Sequence, residues 1–174
     1  MAQKQTAVPP TEAFNSLKSI RSIACVIAAQ APDIGDRLYA SSSKTITPQG
    51  SVNLTAGNWL TRDTVHAAIR TDKDGADVSI GVTNHDFSFL DPNLSRDASV
   101  NFRIDKDGKA GPIDPDQIQT SYSHSSGTTA YPNIAAKTAQ DIAQAKELAT
   151  KVTDAINTGS CEAPARKFKG YNPP

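Results

Sequence analysis

Three histidines, His66, His85 and His124, are the residues of this sequence best suited to acid/base or metal chemistry. An imidazole titrates near neutral pH and can bind zinc through either ring nitrogen. Their spacing matches no common metal-ligand motif, so a site would need the fold to bring two of them together beside an aspartate. That arrangement would define a small metal-dependent or acid/base hydrolase, which is the alternative function we consider.

The dipeptide His85-Asp86 falls in a predicted loop between strands, a position where functional groups are often displayed. A single His-Asp pair lacks the further spaced ligands that would define a phosphohydrolase. The sequence also contains no Gly-x-Ser-x-Gly elbow and no Gly-rich phosphate loop. We therefore expect no cofactor and assign no catalytic residue and no metal ligand.

The tetrapeptide Asp-Lys-Asp-Gly occurs twice, at 72–75 and 105–108, and its paired carboxylates resemble the start of a calcium-binding loop. In a twelve-residue loop with Gly at the sixth position, the first ligand would fall on Arg70 in one copy and Arg103 in the other. A cation there excludes the calcium pattern. Both copies instead predict tight hairpin turns, in which Asp and Gly tolerate left-handed backbone.

The first tetrapeptide is flanked by two runs of alternating apolar and polar residues, typical of a hairpin with one face in water. Alternation returns before the second tetrapeptide. The segment Lys109–Gln117 contains two prolines and is predicted to be a connection, followed by a strand over Ile118–His124. The apolar residues of the first three runs are Val65, Ala67, Ile69, Val78, Ile80, Val82, Val100, Phe102 and Ile104.

Residues 40–62 are rich in Ser, Thr, Asn and Gly, and two short stretches, Lys44–Thr47 and Ser51–Thr55, predict an edge hairpin followed by a loop. Before them, Pro32 is expected either to stop the first helix or to start a short second helix through Leu38 and Tyr39.

Two helices are predicted from apolar residues at spacings of three and four. The first begins after Thr11, and its apolar face is Phe14, Leu17, Ile20, Ala24 and Ile27. The second covers Asn133–Asn157, contains no Gly or Pro, and ends before Gly159. Its apolar face is Ile134, Thr138, Ile142, Ala145, Ala149, Val152 and Ile156.

These elements predict an α+β fold, in which an antiparallel sheet of about four to five strands packs against the N-terminal and the long C-terminal helix. The domain is expected over residues 11–160, between a flexible segment 1–10 and a polar tail 161–174. With 174 residues, the chain is large enough for a self-sufficient core.

Cys25 and Cys161 fall in or next to the two predicted helices and are candidates for a disulfide. A bridge would close a loop of about 135 residues and contribute roughly 4 to 5 kcal/mol. Two separate thiols are the alternative. A bridge requires an oxidising compartment, so the chain is expected to be cytoplasmic as it stands, or secreted or periplasmic if a leader was removed and the cysteines are joined.

The charge of the chain argues against a nucleic-acid partner, since 18 basic residues balance 18 acidic ones. No transmembrane segment is expected, because the longest apolar stretch, Ile23–Ala29, is far shorter than the roughly 20 residues that a bilayer needs.

Four aromatic residues, Trp59, Phe87, Phe89 and Tyr131, fall in predicted loops, where exposed aromatic side chains often anchor partners. Filling the edges of the sheet is the alternative role. We therefore expect a non-enzymatic binding or protein-interaction domain, whose partner is another protein or a second copy of itself.

Overall fold

The computed structural model describes residues 16–30, 36–43, 51–58, 61–86, 94–123, 131 and 133–161. Within these residues the chain forms two helices and six strands. They are α1 (Ser16–Ala29), β1 (Asp36–Ser43), β2 (Ser51–Asn58), β3 (Thr64–Asp72), β4 (Gly75–His85), β5 (Ser95–Asp105), β6 (Asp114–Ser123) and α2 (Ile134–Thr158).

The strands form one antiparallel sheet in chain order, from β1 at one edge to β6 at the other. Both helices pack on the same face of the sheet. Helix α2 lies over β4 and β5, whereas α1 lies over β2 and β3 and also contacts α2. The predicted α+β fold, with an antiparallel sheet between an N-terminal and a long C-terminal helix, is confirmed, and the described sheet has six strands.

The core lies between the helices and the sheet, and it follows the predicted alternation. Along β4, Val78, Ile80 and Val82 are buried under the helices, while Asp77 and Ser79 point to the opposite face. The buried side chains of α2 include several alanines, which let the helix lie close to the strands. The buried residues of α2 are Asp141, Ala145, Leu148, Ala149, Val152, Ala155 and Ile156.

The first hairpin differs from the prediction in its position. An edge hairpin is present, but β1 covers Asp36–Ser43 and pairs with β2 along its whole length, from Asp36 opposite Asn58 to Ser43 opposite Ser51. The suggested short helix through Leu38 and Tyr39 is therefore wrong. Cross-strand hydrogen bonding to β2 overrides the weak local preference of these residues. The predicted piece Lys44–Thr47 lies outside the described residues.

The last strand also begins earlier than expected. Strand β6 starts at Asp114, inside the segment predicted to be a connection, and contains Pro115. Proline is tolerated here because β6 is an edge strand and its register against β5 shifts between Ser99 and Asn101.

Both Asp-Lys-Asp-Gly copies form turns, as predicted. The glycines supply the positive φ angles, 144° at Gly75 and 80° at Gly108. A β-carbon on Gly75 would lie 2.0 Å from the carbonyl oxygen of Ile104, so only glycine fits. The aspartates contribute through their carboxylates and not through left-handed backbone, since Asp72 Oδ1 accepts the Asp74 N–H at 2.8 Å and Asp105 Oδ1 accepts the Asp107 N–H at 2.9 Å.

A disulfide joins α1 to Cys161, which lies three residues after the end of α2. Cys25 and Cys161 are bonded, with their Cα atoms 6.1 Å apart and a sequence separation of 136. Gly159 ends α2 with φ 67°, and its N–H donates to the carbonyl oxygen of Ala155. The predicted bridge and the predicted glycine cap are both confirmed.

Neither described helix combines the length and the apolar character that crossing a membrane requires. The flexible segment predicted at 1–10 and the tail beyond Cys161 lie outside the described residues.

Candidate functional site

Six linked polar side chains lie between the sheet and α2, and we call them the charge cluster: Asn84, Asp86, Arg96, Tyr131, Lys137 and Asp141. It lies between the start of β5 and the N-terminal half of α2. Arg96 and Asp141 are buried, with 7% and 2% of their surface exposed. Buried charges are stable only when they are paired and hydrogen-bonded, so every contact in this cluster matters.

Arg96 and Asp141 form the centre of the charge cluster. Arg96 Nε donates to Asp141 Oδ2 at 2.7 Å, and Arg96 Nη2 donates to Asp141 Oδ1 at 3.1 Å. Asn84 Nδ2 also donates to Asp141 Oδ1, at 2.8 Å. This two-pronged contact, followed by the hydrogen bond to Asp86, holds the pKa of Arg96 above its ordinary value. Arg96 therefore stays ionised, and its contacts with Asp141 fix α2 against the sheet.

Asp86 accepts three hydrogen bonds on one carboxylate oxygen. Its Oδ2 accepts from Arg96 Nη1 and from the Tyr131 hydroxyl, and it accepts from Lys137 Nζ at 2.9 Å. Burial would raise the pKa of Asp86, but the hydrogen bonds from Tyr131, Lys137 and Arg96 outweigh burial and lower it to about 2. The carboxylate also offsets the unfavourable position of Lys137 in the first turn of α2.

Tyr131 connects the two cations of the charge cluster. Its ring centre lies 5.9 Å from the Arg96 guanidinium carbon and 5.5 Å from Lys137 Nζ. Burial, together with the hydrogen bond to Asp86, raises the pKa of Tyr131 to about 12. The hydroxyl is therefore a neutral donor at physiological pH and not a nucleophile.

The charge cluster balances two cations against two carboxylates, and each of these four charged groups is hydrogen-bonded to another member of the cluster. Its geometry supports a structural role, in which Arg96 on β5 holds Asp86, just after β4, and Asp86 in turn binds Tyr131, three residues before α2. Sequence reasoning missed it. The sequence did carry a signal, since each of the two charges shares a face with buried apolar residues. Arg96 lies two positions before the buried Ala98 on the same face of β5, and Asp141 lies four positions before the buried Ala145 on the same face of α2.

The charge cluster makes stability sensitive to acid. Because the folded pKa of Asp86 is lower than its ordinary value of 3.8, its contribution is complete above about pH 4 and is lost as the pH falls toward 2. We expect Asp86→Asn to be less stable than the wild type at pH 6 by up to about 2 kcal/mol. The difference should shrink below pH 4, as measured by urea unfolding at each pH. A constant difference from pH 6 to pH 2 would contradict this assignment.

The face of the sheet opposite the helices is polar and carries a groove of about 990 Å³, which we call the sheet-face groove. Its floor is a row of aligned residues, in which Asn53 faces Ala68, Ala68 faces Ser79, and Ser79 faces Asn101. The segment that leads into β6 forms one wall, with Pro112, Ile113, Asp114 and Pro115.

Several hydrogen-bonding side chains in the sheet-face groove have no protein partner within the described residues. Arg103 is occupied, since its guanidinium bonds Asp72 and Asp77 at 2.8 to 2.9 Å. Arg70, which lies opposite Asp77, makes no side-chain hydrogen bond or ion pair in the described structure. The same holds for the side chains of Asn53, Ser79, Gln117 and Gln119. Within the described residues, the guanidinium of Arg70, the amides of Asn53, Gln117 and Gln119, and the hydroxyl of Ser79 are therefore available to a ligand.

His66 lies on the same polar face, against the backbone of Gly81. A β-carbon on Gly81 would be 2.3 Å from His66 Nε2, so glycine is what allows the imidazole to lie over β4. Burial lowers the pKa of His66, opposed by the charge of Asp97. Asp97 is itself held by neighbours, because Thr83 Oγ1 donates to it at 2.5 Å and Ser121 Oγ at 3.4 Å.

The described histidines do not converge. His66 faces Gly81, and His85 lies four residues further along β4, which is about 13 Å of strand. His85 ends β4, and its Nδ1 atom is buried without a hydrogen-bond partner in the described structure. His124 lies outside the described residues. Among those that are described, no group of three His, Cys, Asp or Glu side chains could hold a metal ion.

Of the four predicted aromatic anchors, Tyr131 alone belongs to the described residues. Trp59, Phe87 and Phe89 lie outside the described residues. Tyr131 is described, and it is 4% exposed within the charge cluster, so the exposure on which its prediction rested does not hold. An aromatic residue beside Arg96 and Lys137 gains more from burial with these cations than from contact with water.

The described residues form a six-stranded antiparallel sheet that is covered on one face by two helices and, within the part of the chain that the structure describes, open on the other. The chain matches no protein-family model, no curated protein and no solved structure.

Proposed function

We propose that this chain is a non-enzymatic protein-interaction domain, which binds an extended segment of a partner across the open face of the sheet. The single observation that carries the proposal is the sheet-face groove, with side chains that have hydrogen-bonding capacity and no described partner. Within the described residues, the titratable groups with large pKa shifts belong instead to the closed charge cluster.

The chemistry of the groove favours a peptide. Primary amides such as those of Asn53 and Gln119 donate and accept hydrogen bonds in the same way as a peptide backbone, so they can bind an extended chain with little dependence on its sequence. Arg70 offers a planar guanidinium to a carboxylate on that chain. Asp77 and Asp114, on the floor and wall of the groove, disfavour a polyanion such as a nucleic acid.

The test is selection of peptides from a random library displayed on phage, using the immobilised protein. We expect extended peptides that carry a single carboxylate for Arg70, bind the wild type, and lose at least about tenfold in affinity for Ser79→Arg, which fills the groove, and for Arg70→Glu, which reverses the charge of that guanidinium. Arg21→Glu, an equal change on the exposed surface of α1, is the matched control and should leave affinity unchanged.

Peptides that bind wild type, Ser79→Arg and Arg70→Glu equally would overturn the proposal, as would a selection that enriches no peptide. The hydrolase alternative makes a different prediction, because it needs His66, His85 or His124 to bind a metal beside an aspartate. Zinc or manganese should then raise the melting temperature of the wild type, and alanine at the ligating histidine, tested in turn at His66, His85 and His124, should abolish that rise.

A further inference from the structure

Strand β6 forms one edge of the described sheet, and no described strand pairs with its outer side. The edge is ten residues long, Asp114–Ser123, whereas natural edge strands are usually short or protected by charges and prolines. Its acidic residues and its proline are confined to Asp114–Asp116. The remaining seven positions, Gln117–Ser123, carry no charge and no proline. Five of them, Gln119–Ser123, lie beyond the register shift and pair regularly with β5, so they present a regular edge to an added strand.

Within the described residues, the helix layer covers little of this edge, since α2 only touches β6. Helix α2 lies over β4 and β5, and the side chains of Gln119, Thr120 and Ser121 are exposed. Tyr122 is 54% exposed and is the only exposed large hydrophobic residue in the described part of the chain, although its ring meets that of Tyr131 edge-on at 5.8 Å. An uncharged, uncovered edge with an apolar side chain on its helix side fits a strand from another chain.

The sequence of this edge is complementary to itself. In an antiparallel pairing with the same strand of a second copy, centred on Thr120, Thr120 meets Thr120, Gln119 of each copy meets Ser121 of the other, and Ile118 meets Tyr122. Each contact is a favourable cross-strand pair, and no like charges face each other. Two-fold symmetry closes the contact, so it produces a dimer and not a fibre.

We propose that β6 pairs with β6 of a second copy, which joins two six-stranded sheets into one sheet of twelve strands with the helices of both copies on the same face. A self-complementary edge selects a second copy over an unrelated strand, because both partners present the same uncharged sequence in register. This interface uses the outer backbone of β6, whose Gln117 and Gln119 also line the sheet-face groove. The two proposals are tested by different measurements, peptide affinity for the groove and molecular mass for the edge, so the failure of one does not decide the other.

The experiment is size-exclusion chromatography with light scattering over a dilution series of the full chain. The wild type should elute at twice the 18.4 kDa monomer mass and dissociate on dilution. Thr120→Lys places two like charges opposite each other at the symmetry axis and should give a folded monomer at every concentration. Thr150→Lys, the same change on the exposed side of α2, is the control and should remain a dimer.

Hydrogen exchange of the wild type gives a second readout that does not depend on the folding of any variant. Amides within Gln117–Ser123 should exchange more slowly in the concentrated protein than in the dilute protein. A wild type that is monomeric throughout the series would overturn the proposal. A Thr120→Lys dimer, or protection that appears elsewhere and not in β6, would equally reject this edge as the interface.

Discussion

Replacing both Cys25 and Cys161 by alanine is expected to lower the free energy of unfolding by about 4 to 5 kcal/mol. The bridge joins positions that are 136 residues apart, so its loss returns a large amount of conformational freedom to the unfolded chain. Because a domain of this size unfolds with a total of roughly 5 to 15 kcal/mol, the variant should lose a large share of its stability. The melting temperature should fall by about 10 to 20 °C.

Urea unfolding with and without reductant measures this effect. Reductant should bring the wild type close to the Cys25→Ala/Cys161→Ala variant and should leave the variant unchanged. This comparison separates the covalent bond from the packing of the two side chains, since reduction keeps both sulfur atoms. Equal stability of the oxidised and reduced wild type would contradict a structural disulfide, as would two free thiols titrated in protein purified without reductant.

The substitution Arg96→Ala is expected to cost about 3 to 5 kcal/mol of folding free energy. It leaves Asp141, which is 2% exposed, as a buried carboxylate without its cation, and it removes one of the three donors to Asp86. Asp141 cannot recover its hydration while α2 stays packed on the sheet, whereas Asp86, whose side chain is 27% exposed, adds less to the cost. The measurement is the change in urea midpoint at neutral pH, together with the slope of the transition.

Arg103→Ala is the matched control for the Arg96 prediction, because both arginines belong to β5 and both bind two aspartates. The side chain of Arg103 is 43% exposed, so water replaces its partners and the loss should be far smaller. The double variant Arg96→Met/Asp141→Leu should recover most of the stability, since an apolar pair of similar volume needs no compensating charge. A loss at Arg96 no larger than that at Arg103 would refute the structural role of the charge cluster.

The strands were predictable wherever one side of the chain had to be apolar. Alternation at Val65–Ile69 and Val78–Val82 located the central hairpin, and its two-residue turn followed from Asp and Gly. Prediction failed at both edges of the sheet. The Ser-rich residues of β1 and the first residues of β6 form strands because a neighbouring strand satisfies their backbone hydrogen bonds. Their own sequences lack the alternation of apolar and polar residues from which a strand could be predicted.

The candidate site was less predictable than the fold. Asn53, Arg70 and Ser79 line the sheet-face groove. In the sequence, each of them is an ordinary polar residue on the solvent-exposed side of a strand, and nothing indicates that the three lie together. They line one groove only because the register of the sheet aligns β2, β3 and β4. The histidines show the opposite case, since His66 and His85 were prominent in the sequence and lie apart in the sheet.

The sequence by itself determined the two helices and the hairpin around the first Asp-Lys-Asp-Gly, because hydrophobic periodicity and turn chemistry are local properties. It offered Cys25 and Cys161 as a disulfide or as two separate thiols, and the structure joins them. The tertiary structure alone decided that Arg96 and Asp141 meet in the core, that six strands share one sheet, and that β6 remains at its edge. These features depend on residues far apart in the chain, whose pairing is set by packing and by the desolvation of charges.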